Sequence, residues 1–318
     1  MIRTPLYRQT PPAIFPVTLG FLGLGNAWMG AAPVFGMPSE IGQVLSGLAV
    51  LFYIFFALSY VAKFALRPAT LSEDLTAAPN RAGVAALTIT LMLVSLVLSV
   101  MEMPVSLIWW LSVILYLIVV ALVSRKILSD PPEARQFTPF QYLSFVALIV
   151  AAIPGIRYGY TTICLVFALV SLLAYVVISV GWLSKLARVR PPQPLRPSIA
   201  MVLAPTSLFS IVFWMLGYGL AATIFYWLAF IIFIALLAAS PWMTKGGWTP
   251  MWGAFTFPIA AFGNAQVAAY TNGMGSVAVI GLFAALAIGT PLILYIVYKH
   301  TMAWTRGDLS KKTGAAVA

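Results

Sequence analysis

The sequence predicts an all-α integral membrane protein with ten spans paired as five hairpins. Three observations predict it: the scarcity of charge, the length of the apolar runs, and a strict alternation in the loops between them. Only 8% of the 318 residues are charged and 62% are hydrophobic, whereas a soluble domain needs roughly a quarter of its residues charged to cover its surface. The mean hydropathy is +1.00. Apolar runs repeatedly reach the roughly 20 residues that cross a bilayer. They are rich in Leu, Ala and Met rather than alternating, which favours helices over a β-barrel.

The runs cover about 13–31, 40–66, 82–101, 104–124, 138–155, 158–184, 197–217, 219–239, 250–271 and 274–299, within one transmembrane domain, 1–318. The stretch "IFPVTLGFLGLGNAWMGAAP" reads as a retained first helix rather than a signal peptide, because Arg3 and Arg8 precede a run of spanning length and many spans follow. Connections after runs 2, 4, 6 and 8 carry charge, as in "SRKILSDPPEARQ"; those after odd runs are short and nearly uncharged, as in "YTNGMG". Of the 18 Lys and Arg residues, Arg157 alone falls on the odd-loop side. Basic short loops mark the cytoplasmic face, so both termini are expected in the cytoplasm, of a bacterial inner membrane. The net charge of +11 is then an orientation signal and not a nucleic-acid footprint, since no basic cluster interleaves with aromatics on a soluble domain.

Odd and even runs differ in character. Run 2, "VLSGLAVLFYIFFALSYVA", and run 8, "AATIFYWLAFIIFIALLAA", are bulky and suit lipid. Odd runs hold small and polar residues at depth: Thr18, Gly20, Gly23 and Asn26 in run 1, Thr88 in run 3, Ser144 in run 5, Pro205 in run 7, and Thr256, Pro258 and Asn264 in run 9. Proline frees backbone carbonyls that need other partners. Five such helices could line a common axis, although small residues also serve close helix packing. In run 9, Gly253, Phe257, Ala260, Ala261, Asn264 and Ala268 share one helical face, on which Phe257 is the single bulky group. A plug in a narrow pathway fits that pattern, and so does an aromatic filling a packing gap.

No acid–base constellation or metal-ligand spacing is present, so neither an enzyme nor a cofactor is expected. The single cysteine, Cys164, excludes an internal disulfide, and the single histidine, His300, reads as an interfacial cation. Coupled carriers keep an ionisable residue at depth. Here Glu40, Glu102, Lys63 and Lys185 fall at span ends and read as interfacial.

"FPVTLGFLGLGNAW", "AALTITLMLV", "MVLAPTSLFSIV" and "WGAFTFPIAAFGNA" resemble the tellurite-resistance/dicarboxylate transporter family, which includes plant guard-cell slow anion channels. The resemblance covers essentially the whole chain. It implies five hairpins in quasi-fivefold arrangement around a central pore lined by the odd helices, assembled as a homotrimer in lipid. It also implies that the second Phe of Phe-x-Phe, Phe257, occludes the pore. Prolines common at the bends of helices 1, 3 and 5 are replaced by Thr18, Thr88 and Ser144, which implies weaker kinks there. The function expected is a channel for small monovalent inorganic anions such as chloride and nitrate, the alternative being a carrier of dicarboxylate or tellurite-type oxyanions.

Overall fold

The computed structural model describes residues 5–103, 105–131, 133 and 135–318, and the regular elements among them are helices. Ten carry the architecture: α1 (Phe15–Phe35), α2 (Glu40–Leu66), α3 (Ala78–Val100), α4 (Ser106–Ser129), α5 (Leu148–Arg157), α6 (Thr161–Leu186), α7 (Leu203–Met215), α8 (Gly219–Thr244), α9 (Gly253–Thr271) and α10 (Gly275–Thr305). Short helices Ala69–Asp74 and Asp308–Thr313 flank them, and 3-10 turns lead into α1, α7 and α9. Among the described residues, eight helices with their lead-ins are long and apolar enough to cross a membrane. The expected runs 5 and 9 do not meet that description: α5 has only 10 residues, and the 19 residues of α9 include Gly, Thr, Asn and Gln.

The run expected over 138–155 is split. A short helix, Gln141–Phe145, stops at Val146 and Ala147 before α5 begins. The cause is a side chain inserted into the backbone ladder. The Tyr116 hydroxyl on α4 accepts the Ala147 amide at 3.2 Å and donates to the Leu143 carbonyl at 3.4 Å, standing where those two groups would have bonded each other. The Trp109 indole nitrogen, also on α4, donates to the Ala151 carbonyl at 2.8 Å. A bend therefore forms beside Ser144 without proline. At the other two substituted positions, α1 and α3 run unbroken through Thr18 and Thr88.

Packing separates the two sets. In the apolar window of α7, 83% of residues are buried, against 22% for α8. α1 and α3 resemble α7; α2, α4, α6 and α10 resemble α8. Odd helices contact one another in a closed order, α1 on α3, α3 on α5, α5 on α7, α7 on α9 and α9 on α1. Each also packs against the even helix that follows it. Leu51, Leu58, Leu173, Ile231 and Phe283 on even helices face outward, as helices in an apolar solvent allow.

The tightest seam joins α1 to α9. A Cβ on Gly20 would lie 2.3 Å from the Thr256 side chain and 2.6 Å from its backbone, so only glycine admits this approach. The Thr256 hydroxyl lies 2.9 Å from the Pro16 carbonyl of α1 and 2.7 Å from that of Gly253. About two helical turns later the seam is polar again. The Asn264 amide donates to the carbonyls of Gly23 at 2.9 Å and Ala260 at 2.8 Å, and Asn264 accepts from Asn26.

At the end of the bundle holding both termini, two residues differ from their expected places. Lys63 is not interfacial but fully buried, paired with the equally buried Asp74 at 2.9 Å and donating to the Thr10 carbonyl at 3.1 Å. Asp74 also accepts from the Tyr60 hydroxyl and from the backbone of Ala316. The α2–α3 connection folds back over Lys63, which covers a charge that would otherwise reach toward water. His300 is likewise no exposed cation: it is buried, with its ring nitrogens 2.9 Å from the Ile296 carbonyl and 3.0 Å from that of Pro250. Lys185, Glu40 and Glu102 are exposed, and Cys164 is buried.

Two stability outcomes follow from these contacts. Asp74→Ala strands the Lys63 ammonium in the interior and should cost roughly 3–5 kcal/mol, much of it recovered when Lys63→Met is added. Thermal unfolding in detergent checks this, and equal losses in the single and double variants would contradict it. Tyr116→Phe leaves the Ala147 amide and the Leu143 carbonyl without partners and should cost about 1–3 kcal/mol, seen as faster amide exchange around residues 143–151.

Candidate functional site

Two cavities lie within the ring of odd helices, and they share two residues. The first, about 30 Å³, is lined by Pro16 of α1, the break at Val146 and Ala147, Met201 and Pro205 around the start of α7, and Gly253, Ala254 and Pro258 of α9. The second, about 440 Å³, takes residues from all five odd helices, including Asn26, Leu96, Arg157, Ile211, Ala261 and Asn264. Phe257 and Leu208 line both. A path from one cavity to the other therefore passes Phe257 of α9 and Leu208 of α7, which are 6% and 5% exposed.

The local backbone explains the smaller cavity. Pro258 cannot donate to the carbonyl of Ala254, and Pro205 cannot donate to that of Met201. Both prolines and both of those residues line this cavity, as do Val146 and Ala147 at the break before α5. Three departures from regular helix thus converge on one space, the setting in which irregular backbone is tolerated at membrane depth. The cavity is apolar except for Tyr142, whose hydroxyl is held by Ser179 at 2.7 Å and by the Trp182 indole.

Phe257 sits where α9 meets α1. A Cβ on Gly23 would lie 3.5 Å from the Phe257 ring, so glycine leaves the ring a flat bed to rest on. Ala260 packs at the same place, 3.1 Å from that Cβ position, and lines neither cavity. Gly253, Phe257, Ala261, Asn264 and Ala268 of the expected α9 face do line them.

Thr18, Thr88 and Ser144 line neither cavity. The Thr18 hydroxyl is 2.8 Å from the Phe15 carbonyl and 3.2 Å from Thr90 on α3, so it serves the α1–α3 contact. Thr88 bonds back to the Ala85 carbonyl at 2.8 Å. Ser144 is buried in the short helix just before the break. The intrahelical bond of Thr88 satisfies its hydroxyl without any aqueous space.

Leu208 and Arg157 were not singled out by residue type. Leu208 was readable by spacing, since Ala204, Leu208, Ile211 and Met215 recur at helical period and all line the cavities. Arg157 carried a different signal, as the lone basic residue among the odd loops. Among the described residues it is the only charged side chain bordering either cavity.

Phe257 and Leu208, the residues shared by the two cavities, are uncharged, and among the described residues no cluster of His, Cys, Asp or Glu could hold a metal ion. No curated protein matches the chain. Against known families, residues 9–302 match one described as voltage-dependent anion channel. With eight helices of membrane-crossing length and that match over nearly its whole length, the chain belongs to the voltage-dependent anion channel family and is an anion-transporting integral membrane protein.

Proposed function

We propose that the protein is a passive channel for small monovalent anions such as chloride and nitrate, occluded at rest by Phe257 with Leu208 beside it. The observation that carries this reading is the junction itself: the two cavities inside one ring of helices have Phe257 and Leu208 as their shared lining residues. The closed contact order of α1, α3, α5, α7 and α9 supports a quasi-fivefold arrangement of ten spans about the pathway, with α5 and α9 spanning as shorter, irregular inner helices.

The lining favours conduction over coupled transport. A carrier that exchanges protons or co-ions keeps an ionisable group at depth, and the junction is made of hydrocarbon. Passage across it requires partial dehydration, which weakly hydrated monovalent anions tolerate better than dianions. The basic loops and termini at the other end of the bundle give that mouth a positive potential and support a cytoplasmic placement of both termini in a bacterial inner membrane. The outward-facing apolar side chains of the even helices suit lipid and the subunit contacts of a homotrimer, each subunit carrying its own pathway.

Phe257→Ala opens the junction and should raise halide flux from liposomes by roughly tenfold or more, the effect of lowering a barrier by about 1.4 kcal/mol. Flux at the wild-type level under matched protein density would remove Phe257 from the gate. Leu208→Ala should give a smaller rise, and the double variant should exceed either alone. Labelled dicarboxylate counterflow driven by unlabelled substrate separates the carrier alternative. A channel shows none, whereas saturable exchange would replace the channel reading.

A further inference from the structure

Arg157 closes α5 at the end of the bundle remote from the termini. Its side chain is exposed, and among the described residues it makes no hydrogen bond or ion pair. By contrast, Arg81 pairs with Asp130 at 2.6 Å, Arg67 pairs with Glu73, and Arg135 donates to the Asp130 carbonyl at 2.8 Å. Arg157 instead borders the 440 Å³ cavity, whose other polar groups include Asn26, Asn264, Thr271 and Asn272.

A second cavity of about 340 Å³ adjoins Arg157 and is lined by Ser99, Glu102, Arg157 and Tyr158. The Tyr158 hydroxyl is already given to the Ser95 carbonyl at 2.9 Å. Glu102 and Arg157 are therefore the charges facing this space, and they form no ion pair with each other. Glu102 has φ 60, the left-handed region that an unbranched residue with a Cβ enters only at a cost. The turn holding it there fixes a negative charge near the arginine.

We infer that the 440 Å³ cavity bordered by Arg157 is an anion-capture site, with Arg157 as its cation and Glu102, in the adjoining 340 Å³ cavity, as the charge that moderates it. This rests on the reading of the chain as an anion channel, for which it supplies the recruiting mouth at the end away from the termini. The ligand class is a weakly hydrated monovalent anion: chloride, nitrate or iodide. Apolar walls focus the field of a single charge and raise the local anion concentration. A guanidinium is weakly hydrated and presents several N–H donors, so an anion exchanges water for these donors at low cost. Contact with solvent keeps the site weak, as conduction requires, since a captured ion must also leave.

Trp214 lines the same cavity and supplies a readout independent of conduction. Iodide quenching of full-length protein in detergent is compared with that of Trp214→Phe, and the difference isolates Trp214 among the 10 tryptophans. Arg157→Gln should lower that quenching constant roughly twofold or more at low ionic strength, and Glu102→Gln should raise it. Both changes should shrink in 1 M salt, where the screening length falls to about 3 Å. Quenching by uncharged acrylamide should be the same in all variants. In recordings from the face remote from the termini, Arg157→Gln should raise the chloride concentration giving half-maximal current, and Glu102→Gln should lower it. Iodide quenching indifferent to Arg157→Gln, or acrylamide quenching altered in parallel, overturns the inference. Quenching that depends on Arg157 without any anion current in Phe257→Ala leaves the capture site standing and overturns the channel reading.

Discussion

A backbone amide or carbonyl that leaves its helical partner inside a membrane must find another, because hydrocarbon offers none. That constraint organises the centre of this protein. α7 and α9 each contain a proline that leaves a carbonyl without its usual donor, and the segment before α5 is interrupted by the Tyr116 hydroxyl. All three irregular stretches border the same small cavity, and none faces outward. The even helices present Leu, Ile and Phe to an apolar surround, and α10 among them carries Pro291 near its middle. The two inner-ring prolines and the Tyr116 insertion thus gather at one enclosed space, where backbone freed from its helical partner can be placed.

The position of Phe257 depends on the same inner ring. Gly20 lets α1 approach the backbone of α9 at Thr256, and Gly23 leaves a flat surface one turn on, against which the ring lies. Asn264 then ties α9 to the Gly23 carbonyl and to Asn26. Glycine removes bulk while the asparagine and threonine restore hydrogen bonds, so the seam is close without leaving polar groups unpaired. The aromatic is held on one side by α1 and, with Leu208 of α7, lines both the small cavity and the large one.

Among the described residues, no charged side chain lines the smaller cavity. The buried Lys63–Asp74 pair lies at the terminal end, where the Ala316 backbone and the Tyr60 hydroxyl complete its hydrogen bonds. It joins the α2–α3 connection to both chain ends rather than facing a pathway. Arg157 borders the larger cavity at the opposite end of the bundle, with Glu102 facing the space beside it.

Membrane residence, the alternation of inner and outer helices and the α9 face with Phe257 were determined by the sequence alone. Each rests on local quantities: run length, loop charge and a 100° step between neighbours. Gly253, Phe257, Ala261 and Asn264 could be grouped before any contact was known. Thr18, Thr88 and Ser144 could not be placed in this way, because a hydroxyl at depth serves a lining and a helix contact equally well, and only the neighbours decide. Thr18 met Thr90, and Thr88 bonded within its own helix. The break before α5 was invisible for a stronger reason. Its cause, Tyr116, lies on another helix 31 residues from Ala147, and no local pattern in 138–155 records a side chain arriving from outside. Lys63 and His300 were misplaced for the same reason, since burial by a distant segment is decided by tertiary packing and not by distance from the end of an apolar run.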